Sequence, residues 1–128
     1  MTVTRTKPGA KLRPRGPHDY TVAQIADHLN VNLGPKLTAF MVGKDQQTVA
    51  RWAKGTQQPP RNDVEVERRL RAAFAVYQLL SENDTRHVIR AWFLGMNPQL
   101  DDLSPAEAIA NGELRDVMAA ARAFIAGG

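Results

Sequence analysis

Between Pro35 and Lys54 the chain carries side chains suited to the edges and backbone of a nucleic acid. If residues 45–54 form a helix, its outer face presents Gln46, Gln47, Ala50 and Arg51. A glutamine amide pairs with adenine through two hydrogen bonds, an arginine fork pairs with guanine, and an alanine methyl meets the methyl of thymine. Such a set can read bases in a major groove. Lys36, Lys44, Thr48, Lys54 and Arg61 flank it. Cations and hydroxyls in those places suit phosphates, which fix register without reading sequence. Lys44, directly after a turn glycine, would lay its stem on apolar surface and send its ammonium outward. A helical hairpin with a merely solvated polar face has the same composition, so spacing must carry the argument. Ala39, Gly43, Val49 and Trp52 stand at positions 5, 9, 15 and 18 of a twenty-residue unit beginning at Pro35. A helix-turn-helix needs a small residue in its first helix, a glycine at the turn, and apolar inward residues in the second. The two helices then cross closely while the second keeps its outer face free. Trp52 falls on the inner face and reads as core.

Other chemistries find little support. There is no cysteine, which removes disulfides, thiol catalysis and thiolate zinc sites. His18, His28 and His87 share no metal-ligand spacing. The glycines are isolated at turns and form no phosphate-cradling loop. Asp101–Asp102 and the pair Glu65/Glu67 read as helix caps and solvated surface, where negative charge favours helix N-termini. The expectation is a protein that is no enzyme, with no catalytic residues, metal or cofactor.

Charge is unevenly spread along the 128 residues, whose net is +4. Arg5, Lys7, Lys11, Arg13 and Arg15 crowd residues 1–20 against Asp19 alone, and residues 35–61 carry five cations against Asp45. The stretch 62–128 holds seven basic and ten acidic residues. Two basic segments before an acidic body are what a molecule shows when one end faces a polyanion. Residues 1–18, with three prolines and two glycines and no periodicity, read as a disordered basic arm. Such an arm can enter a narrow minor groove or act as a plain electrostatic tether. No apolar run approaches the roughly 20 residues that span a bilayer, and no apolar stretch follows the charged N-terminus as in a signal peptide. A cytoplasmic, nucleoid-associated protein is expected.

The elements that must hold these residues are helices. Val22, Ile25, Ala26 and Leu29 recur at helical spacing after Thr21, a natural N-cap. A second helix spans about 35–41, started by Pro35, with Leu37, Phe40 and Met41 as candidate core. The third ends at Gly55, a residue suited to a left-handed cap. Asn62 followed by Glu65 resembles a capping box and opens a long helix reaching about residue 80. Val66, Leu70, Ala73, Phe74, Tyr77 and Leu80 line its apolar side. A fifth helix at about 84–94 shows Val88, Ile89, Trp92 and Phe93, and a turn-rich stretch follows over 95–103. Ser104-Pro105-Ala106-Glu107 combines an N-cap serine, a first-turn proline and a glutamate at the third position. Asn111-Gly112 breaks that helix, and 113–126 forms the last. No strand or repeat signal appears, so the class is all-α. The reading is a helix-turn-helix bundle over 19–61, a connecting helix over 62–83 and a small helical module over 84–128.

The C-terminal half resembles the toxin-binding domain of the Xre/MbcA/ParS antitoxin family. The residues that carry this are Ala91-Trp92-Phe93, Gly95-Met96-Asn97-Pro98-Gln99-Leu100, Ser104-Pro105-Ala106-Glu107-Ala108, Asn111-Gly112 and the helix from Val117 to Phe124. The N-terminal half is similar to the family's Xre-like helix-turn-helix. The resemblance covers about residues 20–127. It implies a dimeric DNA-binding antitoxin that regulates its own operon and neutralises a RES-type toxin acting on NAD. It also implies a partner-facing segment that includes Trp92, Asn97, Pro98, Leu100 and Glu113. The same apolar residues would serve equally in a dimerisation module. The alternative function is a DNA-binding protein without a toxin, either a phage or prophage regulator or a chromosome-organising protein.

Overall fold

A computed structural model describes residues 19–127, which form seven α-helices and no strand. They are α1 (Val22–Asn32), α2 (Pro35–Val42), α3 (Gln46–Lys54), α4 (Val64–Leu80), α5 (Arg86–Leu94), α6 (Pro105–Ala110) and α7 (Leu114–Ile125). A 3-10 turn at Pro98–Leu100 links α5 to α6. Local chemistry sets most boundaries. Thr21 caps α1 and receives a reciprocal bond from Gln24, whose Oε1 accepts the Thr21 N–H at 2.8 Å. Ser104 and Glu107 form the same box on α6, with Pro105 in the first turn. Between α2 and α3 the chain turns at Gly43, φ 75°, and α3 ends at Gly55, φ 77°. A side chain at either position would be strained in this left-handed region.

The long central helix α4 packs on α1, α2, α6 and α7. Its 17 residues make it about 26 Å long. α3 lies chiefly against α1, and α2 rests on α3 and α6. One hydrophobic cluster runs through all of this, from Ile25, Leu29 and Trp52 through Leu70 and Leu80 to Phe93, Ile109 and Val117. Helices α5, α6 and α7 thus contribute to the same cluster as the N-terminal helices. α5 is fastened to the end of α1 by two arginines: Arg90 Nε donates to the Leu33 carbonyl at 3.1 Å and Arg86 Nη1 to that of Val31 at 3.4 Å. These carbonyls belong to the last turn and cap of α1, where acceptors lack helical partners and positive charge is favoured. His28 sits edge-on to the rings of Phe74 and Tyr77 at 5.0 and 4.9 Å. Burial pushes its imidazole below the ordinary value, with Asp27 acting the other way.

Several sequence expectations need correcting. Phe40 is half exposed at 50% and is not core, whereas Ala39 and Val42 are buried beside Leu37 and Met41. In so short and apolar a helix the inward side is chosen by where α3 and α6 dock. Val88 likewise points outward from α5, leaving Ile89 and Phe93 buried. The cap of α4 is Asp63, whose carboxylate accepts the Val66 N–H, and not Asn62. Glu65 and Glu67 do occupy the first turn of α4. Asp101 and Asp102 instead occupy a turn with φ of 55° and 66°, ahead of the Ser104 cap.

Candidate nucleic-acid interface

α3 is anchored by Val49 and Trp52, which are 0% and 1% exposed. With these two facing inward, helical geometry turns positions 46, 47, 50, 51 and 54 outward as one stripe. Gln46, Gln47, Arg51 and Lys54 are exposed, and Ala50 is half-buried. The first turn is held by Asp45, which accepts the Thr48 N–H at 2.7 Å. That backbone bond, helped by the Thr48 hydroxyl, keeps the Asp45 carboxyl below its ordinary range. Gln46 and Gln47 thus project from a fixed helix start.

Arg51 is held in a way that sequence reasoning missed. Its Nε donates to Gln57 Oε1 at 2.8 Å and its Nη2 to Thr48 Oγ1 at 3.3 Å. The Thr48 hydroxyl, expected at a phosphate, accepts from this guanidinium. Lys44 is also engaged, forming an ion pair with Asp63 at 3.3 Å that ties the α2–α3 turn to the head of α4. Its side chain is about a third exposed, so its ammonium is shared between Asp63 and solvent. Lys36, in the first turn of α2, and Arg61, in the loop after α3, are exposed. Arg61 also borders a groove of about 810 Å³ with Pro59, Pro60, Val64, Arg68 and Leu114. The arm residues Arg5, Lys7, Lys11, Arg13 and Arg15 lie outside the described residues.

The residues expected to face a protein partner divide in two. Leu100 is 4% exposed and belongs to the core. Asn97 is half-buried and its Oδ1 accepts the Gln99 N–H at 2.9 Å, so it builds the 3-10 turn. Pro98 and Glu113 are exposed. Trp92 is half-buried, edge-on to Phe93 at 5.4 Å and tilted against Phe124 at 6.2 Å. Exposed beside them along the chain are the apolar residues Leu94 at 51% and Met96 at 75%, whereas Phe93, Ile109 and Val117 are buried. An apolar residue pattern does not tell which members a small module fails to cover.

Among the described residues no three histidine or carboxylate side chains gather as a metal site. No described helix is long and apolar enough to cross a membrane. Comparison with family models, curated proteins and solved structures finds no match for this chain.

Proposed function

We propose that the chain is a sequence-specific double-stranded DNA-binding regulator of the antitoxin type, with α3 laid in the major groove. The observation that carries this reading is α3 itself. Buried Val49 and Trp52 fix it to the body, and its opposite stripe offers Gln46, Gln47, Ala50 and Arg51 to base edges. Lys36, Lys54 and Arg61 flank that stripe as exposed cations for phosphates. Thr48 and Lys44, which also hold Arg51 and join the turn to α4, complete the phosphate-facing set.

A single helix in a groove buries little surface, so such modules bind as two-fold dimers on half-sites about 34–36 Å apart, or a multiple of that spacing. The exposed apolar residues around Trp92, with Leu94, Met96 and Phe124, are where a second copy or a RES-type toxin would dock. The toxin rests on the family resemblance of residues 91–124. The role is non-enzymatic and the setting is the nucleoid.

Recovery of genomic fragments bound by the purified chain tests the proposal. A few fragments sharing a two-fold-related motif are expected. Even coverage of the genome would remove base reading, and no enrichment over input would remove DNA binding altogether.

A further inference from the structure

Arg51 differs from the cations that carboxylates hold in place. Arg71 is paired with Glu67 at 2.8 Å, Arg69 and Arg68 with Glu65 at 3.4 and 3.7 Å, and Lys44 with Asp63. These are cations neutralised within the fold. Arg51 is exposed, and its partners Gln57 and Thr48 are both neutral. Two uncharged acceptors therefore orient the guanidinium, with the Asp45 carboxylate as an electrostatic neighbour.

The clamp is built from the backbone outward. Gly55 reverses the chain at the end of α3. Thr56 then folds back, giving both its N–H, at 3.0 Å, and its hydroxyl, at 3.2 Å, to the carbonyl of Arg51. This doubly anchored residue sets the next one, Gln57, where its Oε1 meets Arg51 Nε. The main chain of Arg51 thus fixes the loop that holds its own side chain. A guanidinium has five N–H donors in a rigid fork. With Nε–H given to Gln57 and one Nη2–H to Thr48, three remain, two on Nη1 and one on Nη2. An approach through the Nε edge is closed. No acceptor among the described residues takes the remaining donors, and two parallel donors at the Nη1/Nη2 end match O6 and N7 of guanine.

We infer that Gln57, outside the recognition helix, is a specificity-determining positioning residue that commits Arg51 to end-on reading of one guanine. The inference rests on the reading of α3 as the helix in the groove. A free arginine carries substantial rotamer entropy, and holding it beforehand lowers the ordering cost at the correct base. Gln57 contributes to discrimination between bases, then, and not to general attraction for DNA.

The test begins with duplexes selected by the wild-type chain from a random pool. The position whose preference disappears in Arg51→Ala is taken as the base that Arg51 reads. Affinity is then measured for the selected duplex and for one with guanine changed to adenine at that position. Losing a two-pronged contact should cost about 10–100-fold in that ratio for Arg51→Ala. Gln57→Leu should lose roughly 3–10-fold of the same ratio, with affinity for random duplex unchanged. Gln57→Glu keeps an acceptor for Nε and should recover the guanine preference, while its added negative charge weakens binding to every duplex alike. Thermal melts should match wild type, since Gln57 is exposed. A Gln57→Leu chain that keeps the whole ratio, or that loses affinity for all duplexes equally, overturns the inference. So does a Gln57→Glu chain whose ratio stays reduced. A wild-type chain that selects no sequence overturns instead the reading of α3 beneath it.

Discussion

Replacing Trp52 by alanine should cost the fold about 3–5 kcal/mol, the range for emptying a large aromatic site whose walls close only in part. The figure follows from two opposing contributions. Trp52 is 1% exposed, in the core where α3 meets α1. An indole buries on the order of 200 Å², and at about 25 cal/mol per Å² that is roughly 5 kcal/mol of transfer. Against this, its Nε1–H is buried without an acceptor among the described residues, and an unsatisfied buried donor costs about 1–3 kcal/mol. Alanine removes both, which brings the net loss toward the lower end of the range. Phenylalanine keeps much of the ring contact and sheds the orphan donor, so Trp52→Phe should cost roughly 1–2 kcal/mol. For an ordered body of this size each kcal/mol moves the midpoint by about 4 °C. Melts followed by far-ultraviolet circular dichroism should therefore drop by roughly 12–16 °C for alanine and 4–8 °C for phenylalanine. A Trp52→Ala chain melting with wild type would place the indole outside the core. A Trp52→Phe chain as unstable as Trp52→Ala would refute the orphan-donor part.

The His28 imidazole, held below its ordinary 6.5 by burial, binds its proton more tightly in the unfolded chain. Its stability contribution is complete above about pH 6.5 and is lost as pH falls through that value toward the folded-state pKa. Urea midpoints from pH 8 to pH 5 should show that acid limb, and His28→Phe should flatten it; an identical limb in the variant would point to other groups. Ser104→Ala removes the hydroxyl that accepts the Glu107 N–H at 3.1 Å, leaving the Ser104 N–H bond to the Glu107 carboxylate in place, and should cost about 1 kcal/mol in chemical denaturation, whereas no change would show that this half of the box is dispensable. Deleting residues 1–18 should reduce the slope of log affinity against log salt by about 2–4, since each neutralised phosphate contributes about 0.9; an unchanged slope would mean that the segment is no arm. Ending the chain after Asn83 removes Ile89, Phe93, Ile109 and Val117 from the shared cluster, so the product should be unfolded or aggregated by gel filtration and circular dichroism. A compact, cooperatively melting fragment would show that the N-terminal helices hold a core without them.

The sequence alone settled what depends on neighbours three or four residues away. Thr21, Pro35, Gly43, Gly55 and Ser104 each act within one turn of the chain, so the helix starts and stops they imply are the ones observed. The periodicity of α4 foretold its buried side from Val66 to Leu80 for the same reason. The inward residues Ala39, Val49 and Trp52 were legible too, because spacing along two joined helices leaves them one shared side. What only the tertiary structure decided involves partners separated in the chain. Phe40 faces outward and Leu100 inward because of where α3, α6 and α7 dock, and hydrophobicity gives both residues the same weight. The contacts of Lys44 with Asp63 and of Thr48 with Arg51 could not be read from residue type. The clamp of Gln57 on Arg51 depends on a left-handed turn at Gly55 that returns the loop over the helix it has just left. Arg86 and Arg90 reach carbonyls 55 and 57 residues earlier. A long cation can satisfy itself with a base, a phosphate, a carboxylate or a helix end, and only the folded arrangement determines which acceptor lies within reach.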